Sequence, residues 1–170
     1  MAAVEEPRVL IAGIGNVFRS DDGFGPEVAR RLSGLPWPDG VRVVDYGIRG
    51  MHLAYDLLDP WDVLVLVDAL PDRGEVGSVA LIEIGDEHVG GGAQVDAPRV
   101  DAHSMDPATV LGTLAALGGR LPPRTLLVGC QVSETDDGMG LTPVAVAAVD
   151  EAVRAVHAAV ATELAPVEVV

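Results

Sequence analysis

Apolar residues recur in short bursts along this chain, and the spacing inside each burst assigns it to strand or helix. "RVLIAGIG" is an apolar run closed by glycines, the pattern of a strand buried in a parallel sheet. "GFGPEVARRLSGL" then places Val28, Leu32 and Leu35 on one helical stripe, accepts Pro26 in its first turn, and turns Glu27, Arg30 and Arg31 outward. "VRVVDYG" reads as a second strand. "GMHLAYDLL" reads as a short helix with Met51, Ala54, Leu57 and Leu58 along one side, and "DVLVLVDAL" as a third, fully apolar strand.

After Asp68 the alternation of strand and helix stops. Only "PDRGEVG" separates the third strand from "SVALIEI", too short a stretch for a crossover helix, which predicts a hairpin with an antiparallel partner near an edge. The long polar stretch "GDEHVGGGAQVDAPRVDAHSM" leads into a helix, "DPATVLGTLAALG", with Asp106 as N-cap and Pro107 at the first helical position. "RTLLVGCQV" is the fifth strand. The last helix, "LTPVAVAAVDEAVRAVHAAVATEL", is capped by Thr142 with Pro143 behind it. No repeat or linker divides the chain, so residues 1–170 are expected to form a single domain, an open five-stranded sheet with helices on both faces. In such sheets ligands bind beyond the carboxyl ends of the parallel strands.

Composition narrows the function more than the fold. A formal net charge of -15 repels polyanions, so neither nucleic acid nor an anionic membrane surface is an expected partner. One cysteine cannot form an internal disulfide, the start "MAAVEEPRVLIAG" lacks the pattern of a signal peptide, and no apolar run approaches the roughly 20 residues of a spanning helix. The expected location is cytoplasmic.

The first loop, "GIGNVFRSDDGFG", starts like a dinucleotide fingerprint, but its third glycine position holds Phe18. Close packing of helix on strand through that glycine is therefore expected to be lost. Asp21 and Asp22 stand where a phosphate would lie, and Asp21 reads equally well as the anion that satisfies the helix start. Three residues that can bind metal fall at comparable points: Asp22 after the first strand, Asp68 ending "VLVLVDA", and His103 just before a helix. Oxygen, oxygen and nitrogen from separate segments suit Zn²⁺, Ni²⁺ or Fe²⁺ better than Mg²⁺ or Ca²⁺. The plainer alternative is a capping Asp22, a hydrogen-bonded Asp68 and a loop His103. His52, His88 and His157 are weaker candidates. Cys130 ends a buried strand and reads as a core residue, and Ser20 and Ser104 read as turn or capping residues.

Taken together, these segments resemble the endopeptidases that mature nickel-iron hydrogenases. "GIGNVFRSDDGFGPEVARRL" is similar to that family's N-terminal motif, a G-x-G-N followed by an acidic pair and G-x-G. "VVDYGIRGMHL" resembles its D-G-G-T-x-G-M segment, "VLVLVDAL" its strand ending in Asp-Ala, "DAHSMDPATVL" its histidine before a helix, and "LVG" with the later "GLTP" its closing motif. The order matches over nearly the whole chain.

The resemblance implies a three-layer α/β/α fold of phosphorylase/hydrolase-like type, with an open mixed five-stranded sheet containing one antiparallel strand. It also implies removal of the C-terminal extension of a hydrogenase large-subunit precursor. Carried over position by position, Asp22, Asp68 and His103 become the catalytic, metal-contacting residues, engaging nickel already installed in the substrate. No tightly bound cofactor of the enzyme's own is implied. Tyr46 and Ile48 depart from the family's small or hydroxylated residues and are expected to reshape the pocket, while Asp45 and "YGIRGM" are candidates to position the substrate tail or to end the strand with a local cap. A self-sufficient metal-dependent peptidase and a non-catalytic nucleotide-binding α/β module remain the alternatives.

Overall fold

The computed structural model describes residues 6–85 and 107–165. Five strands, β1 (Val9–Ile14), β2 (Val41–Gly47), β3 (Val63–Pro71), β4 (Val79–Glu83) and β5 (Arg124–Val132), lie in the order β2-β1-β3-β5-β4. All neighbours are parallel except β4, which runs antiparallel to β5. Among the described residues four helices accompany them: α1 (Phe24–Ser33), α2 (Gly50–Asp56), α3 (Pro107–Ala116) and α4 (Pro143–Leu164).

Alternate strand residues feed two separate cores, which is why the central runs show no polar positions. Val9 and Ile11 of β1, Val63, Val65 and Val67 of β3, and Leu126, Val128 and Cys130 of β5 pack against α1 and α4. Their sequence neighbours Leu10, Ala12, Ile14, Leu64, Leu66 and Leu127 pack on the other face, against α2 and α3. The result is three layers with a mixed five-stranded sheet in the middle, as the resemblance implies.

The expected hairpin does not form. β4 is antiparallel and at the edge, but its partner is β5, which lies between it and β3. β5 is buried along most of its length and so requires cover on both sides, whereas β4 is largely exposed and suits the edge. The short connection crosses the end of β5 and is fastened there. The Gln131 side-chain carbonyl accepts from the backbone N–H groups of Arg73 (2.9 Å) and Glu75 (3.3 Å), and Gly77 N–H donates to the Gln131 backbone carbonyl (2.8 Å).

Two helical stripes also differ from the periodic reading. In α2 the buried positions are Gly50, Leu53 and Ala54, continued by Leu57 just past its end, while Met51 and Leu58 are exposed. In α1 the stripe is Phe24, Val28 and Leu32; the helix ends at Ser33, where the Trp37 indole N–H donates to the Leu32 carbonyl (2.8 Å), and Leu35 falls beyond it.

The third glycine missing at Phe18 has a substitute further along. A Cβ at Gly25 would lie 2.2 Å from the Ile14 carbonyl oxygen and 2.3 Å from that of Val67, and one at Gly13 would lie 2.5 Å from the Gly25 carbonyl oxygen. Gly13 and Gly25 thus let α1 rest directly on β1 and β3, so the close packing is retained. Because the opposing atoms are backbone, they cannot swing aside. Gly25→Ala is expected to destabilise the protein by about 3 kcal/mol, the upper end of ordinary overpacking, whereas the exposed helical control Gly112→Ala is expected to stabilise it by about 0.5–1 kcal/mol, with urea unfolding as the measurement.

Candidate active site

The turn after β1 is built around its own carboxylates. Gly15, at φ +139, makes the bend, and a Cβ there would meet the Asp22 carbonyl oxygen at 1.9 Å. Gly15 N–H donates to the Gly47 carbonyl (3.0 Å), tying the turn to the end of β2. Asn16 N–H donates to Asp22 Oδ2 (2.9 Å), and Asn16 Oδ1 accepts from Phe18 N–H (2.9 Å). A loop amide that a phosphate would need is already engaged by Asp22, which disfavours the nucleotide-binding alternative.

Asp21 does not cap its own helix. It is 1% exposed and points across the molecule to the start of α4, where Oδ1 accepts from Thr142 N–H (2.7 Å) and Oδ2 from the Thr142 hydroxyl (2.9 Å). Thr142 in turn accepts from Ala145 N–H (3.4 Å), so the N-cap read from the sequence is itself held by a carboxylate. A negative charge here also lies at the favourable end of a 22-residue helix. The turn next to these contacts is laced as well. Ser20 N–H and Asp21 N–H donate to the carbonyls of Gly138 (2.8 Å) and Glu134 (2.9 Å), and the Ser20 hydroxyl donates to the Asp136 carbonyl (3.0 Å). Ser20, at φ +48, is the one non-glycine in left-handed backbone among the described residues, a strained conformation that these bonds hold in place.

Asp22 and Asp68 reach the same rim. The short turn Ser20–Gly23 contacts β3 directly, and Gly25 sits against the Val67 carbonyl, one residue before Asp68. Asp22 is half-buried; Asp68 is 6% exposed, faces Gly129 in β5, and its Oδ1 accepts from Ala69 N–H (2.8 Å). His103 lies outside the described residues, as do His88, Ser104 and Asp106. Among the described residues no three His, Cys, Asp or Glu side chains gather as a metal site. Beside the turn runs a groove of about 370 Å³ whose walls include Val17, Gly23, Pro26, Met139 and Leu141.

Comparison with known proteins fixes the family of this site. The family described as "Hydrogenase maturation protease" matches residues 26–159. The chain belongs to the hydrogenase maturation protease family. It is 34% identical to the hydrogenase expression/formation protein HupD of Rhodobacter capsulatus, over 93% of this chain and 75% of that protein. It is 29% identical to the hydrogenase 2 maturation protease of Escherichia coli (strain K12), over 89% and 90% of the two chains. The solved structure of the hydrogenase maturating endopeptidase HybD from E. coli superposes with a TM-score of 0.74 at 26% identity, covering 91% of this chain and 93% of that one. As a member of this family the chain is an endopeptidase, and the mixed sheet is the family's own. No helix among the described residues is long and apolar enough to cross a membrane.

Within this hydrogenase maturation protease the remaining candidates take structural roles. Asp45 Oδ1 accepts from Gly47 N–H (2.9 Å), a local turn at the end of β2. Tyr46 does not line the rim: it is buried between β2 and α2, with its hydroxyl donating to Asp56 Oδ2, whereas Ile48 is exposed. Cys130 is fully buried and its thiol is pushed up to about 11, first by desolvation and then by the Asp21 and Glu151 charges, which makes it inert. His157 is exposed against Trp37, with ring centroids 5.3 Å apart, and His52 is exposed on α2.

The Asp21–Thr142 pair carries a measurable coupling. Asp21→Ala is expected to cost about 3 kcal/mol and Thr142→Ala about 1 kcal/mol, and the double variant to cost less than their sum by at least ~1 kcal/mol; additivity within ~0.5 kcal/mol in urea unfolding would show the two do not interact. Tyr46 gives an alkaline limit. Burial, then the hydrogen bond to Asp56, raise its phenol well above the ordinary value, so the fold favours the protonated form. That contribution is complete below pH ~10 and is lost as pH climbs past it. Wild-type stability is expected to fall more steeply between pH 9 and 11 than that of Tyr46→Phe, measured by urea midpoints.

Proposed function

We propose that this endopeptidase removes the C-terminal extension of a nickel-iron hydrogenase large-subunit precursor after nickel insertion, with Asp22, Asp68 and His103 as the groups that meet the client's nickel. The observation that carries this reading is the convergence of Asp22 and Asp68 on one rim in a chain of this family. Two carboxylates on one rim repel each other, and a cation between them relieves the repulsion. A precursor carrying nickel supplies that cation; a precursor without it offers the site nothing to hold, so recognition becomes a chemical check.

The topology supports a part for His103. α3 is followed by β5, which starts at the amino end of the parallel strands, so α3 begins on the rim side. His103 precedes Pro107 by four residues. Beside the rim, Phe18 and Met139 are 64% and 77% exposed and offer apolar contacts to an extended tail, next to a groove that also carries Glu27, Arg30, Arg31 and Asp45. In the reaction, water adds to the scissile carbonyl, the C–N bond breaks, and the departing amine takes a proton. A carboxylate of the pair handles the proton while the client's nickel polarises the water or the carbonyl. Nickel is the cargo of the substrate in this scheme, and the enzyme needs no resident metal. Action in the cytoplasm suits a step on an immature precursor.

The test is incubation of nickel-loaded and nickel-free precursor with the wild type and with Asp22→Ala, Asp68→Ala and His103→Ala, read by mass measurement of the products. Each variant is expected to lose about a hundredfold or more in cleavage rate, and nickel-free precursor to stay intact. Near-normal cleavage by any two variants overturns the residue assignment; efficient cutting of nickel-free precursor overturns the checkpoint.

A further inference from the structure

Every basic residue in this chain is an arginine, eleven against 26 acids, so the field of the protein should draw each one into an ion pair. Several obey. Arg30 and Arg31 bind Glu27, Arg31 also reaches Asp150 at 2.6 Å, and Arg124 bridges Glu83 and Glu163. Arg42 and Arg49 are engaged differently, Arg42 through one long ion pair and Arg49 through backbone carbonyls. Arg49 donates through Nε to the Tyr46 carbonyl (3.1 Å) and through Nη2 to the Asp45 carbonyl, contacts that aim the guanidinium without neutralising it. Arg42 stands 3.8 Å from Asp56, whose same oxygen already accepts the Tyr46 hydroxyl.

Both arginines line one hollow of about 330 Å³ on the outer flank of β2, together with Val44, His52 and Tyr55. Arg42, Val44 and Tyr46 alternate along one face of the edge strand, and Arg49, His52 and Tyr55 approach from α2 and the turn before it. Two guanidinium groups against a single carboxylate, Asp56, make the hollow a local reversal of the sign of the whole molecule. Its position ties it to the site. Arg49 follows Gly47, whose carbonyl accepts from Gly15 N–H, so the hollow begins where the glycine turn is fastened.

We infer that this hollow is a carboxylate-binding site that takes acidic side chains of the client subunit as it seats on the rim, an inference that rests on the function proposed above. Arginine forks match carboxylates in a bidentate manner, and the Val44 and Tyr55 walls offer contact for methylenes that an inorganic ion lacks. An extended polyanion such as nucleic acid would have to cross the surrounding negative surface, whereas a short acidic segment needs only the hollow. The site also answers a problem of approach: two basic groups give an acidic client an attractive foothold beside an otherwise repulsive protein.

The test uses the full-length protein with Arg42→Glu and Arg49→Glu. Arg42 is half-exposed and holds no backbone, so its reversal leaves the fold intact; circular dichroism and the melting temperature of each variant check this. With nickel-loaded precursor, KM is expected to rise about tenfold in each variant with kcat within about twofold. Sodium chloride should raise the wild-type KM and have little effect on that of Arg42→Glu. Independently of cleavage, a short glutamate-rich peptide should give saturable NMR shifts at the Arg42 and Arg49 side-chain Nε–H groups, absent in Arg42→Glu. Peptide binding by a wild type that cuts no precursor would keep the site and remove the proposed function. An unchanged KM and salt response in folded Arg42→Glu, no peptide shifts, or shifts with inorganic phosphate alone would overturn the inference.

Discussion

The carbonyl oxygens of Ile14 and Val67 come so close to Gly25 that no side chain fits between them, and this contact sets the geometry on which the site depends. It presses the first turn of α1 onto the ends of β1 and β3 at once. The chain leaving β1 must therefore make its turn within a few residues and return directly over β3. Asp22 is carried to the end of the strand that holds Asp68 as a result. A methyl group at this point would lift the helix and shift the turn that carries Asp22 relative to β3.

The acidic pair divides its labour along the same line. Asp21 faces inward and serves the start of α4, while Asp22 faces the rim and engages the Asn16 amide of its own turn. Neighbouring residues with the same charge thus do unlike work, because a single peptide step in a tight turn sends one side chain into the protein and the next toward solvent. The strain at Ser20 lies immediately before the pair, and the bonds to Glu134, Asp136 and Gly138 hold it there.

Much of the fold was legible because the central strands are covered on both faces and leave uninterrupted apolar runs between glycines. Asp68 stood out as a candidate because a carboxylate directly follows such a run, and Asp22 because it is the second acid of the loop after β1. What escaped the periodic reading was always a matter of distant partners. The short link after β3 suggested a hairpin, yet strand neighbours are chosen by burial, and the buried β5 displaced the exposed β4 from β3's side. The Asp21–Thr142 bond joins residues 121 positions apart, and nothing in either local stretch announces the other. Phe18 in the fingerprint hid the close approach because the glycine that supplies it, Gly25, is counted from the helix and not from the loop.

That bond between Asp21 and Thr142 has a consequence for synthesis. A ribosome delivers the amino-terminal loop long before the residues that clasp it, and contacts of such sequence separation form late in folding. Until the final helix has emerged, the loop bearing the acidic pair lacks the anchor that Thr142 supplies.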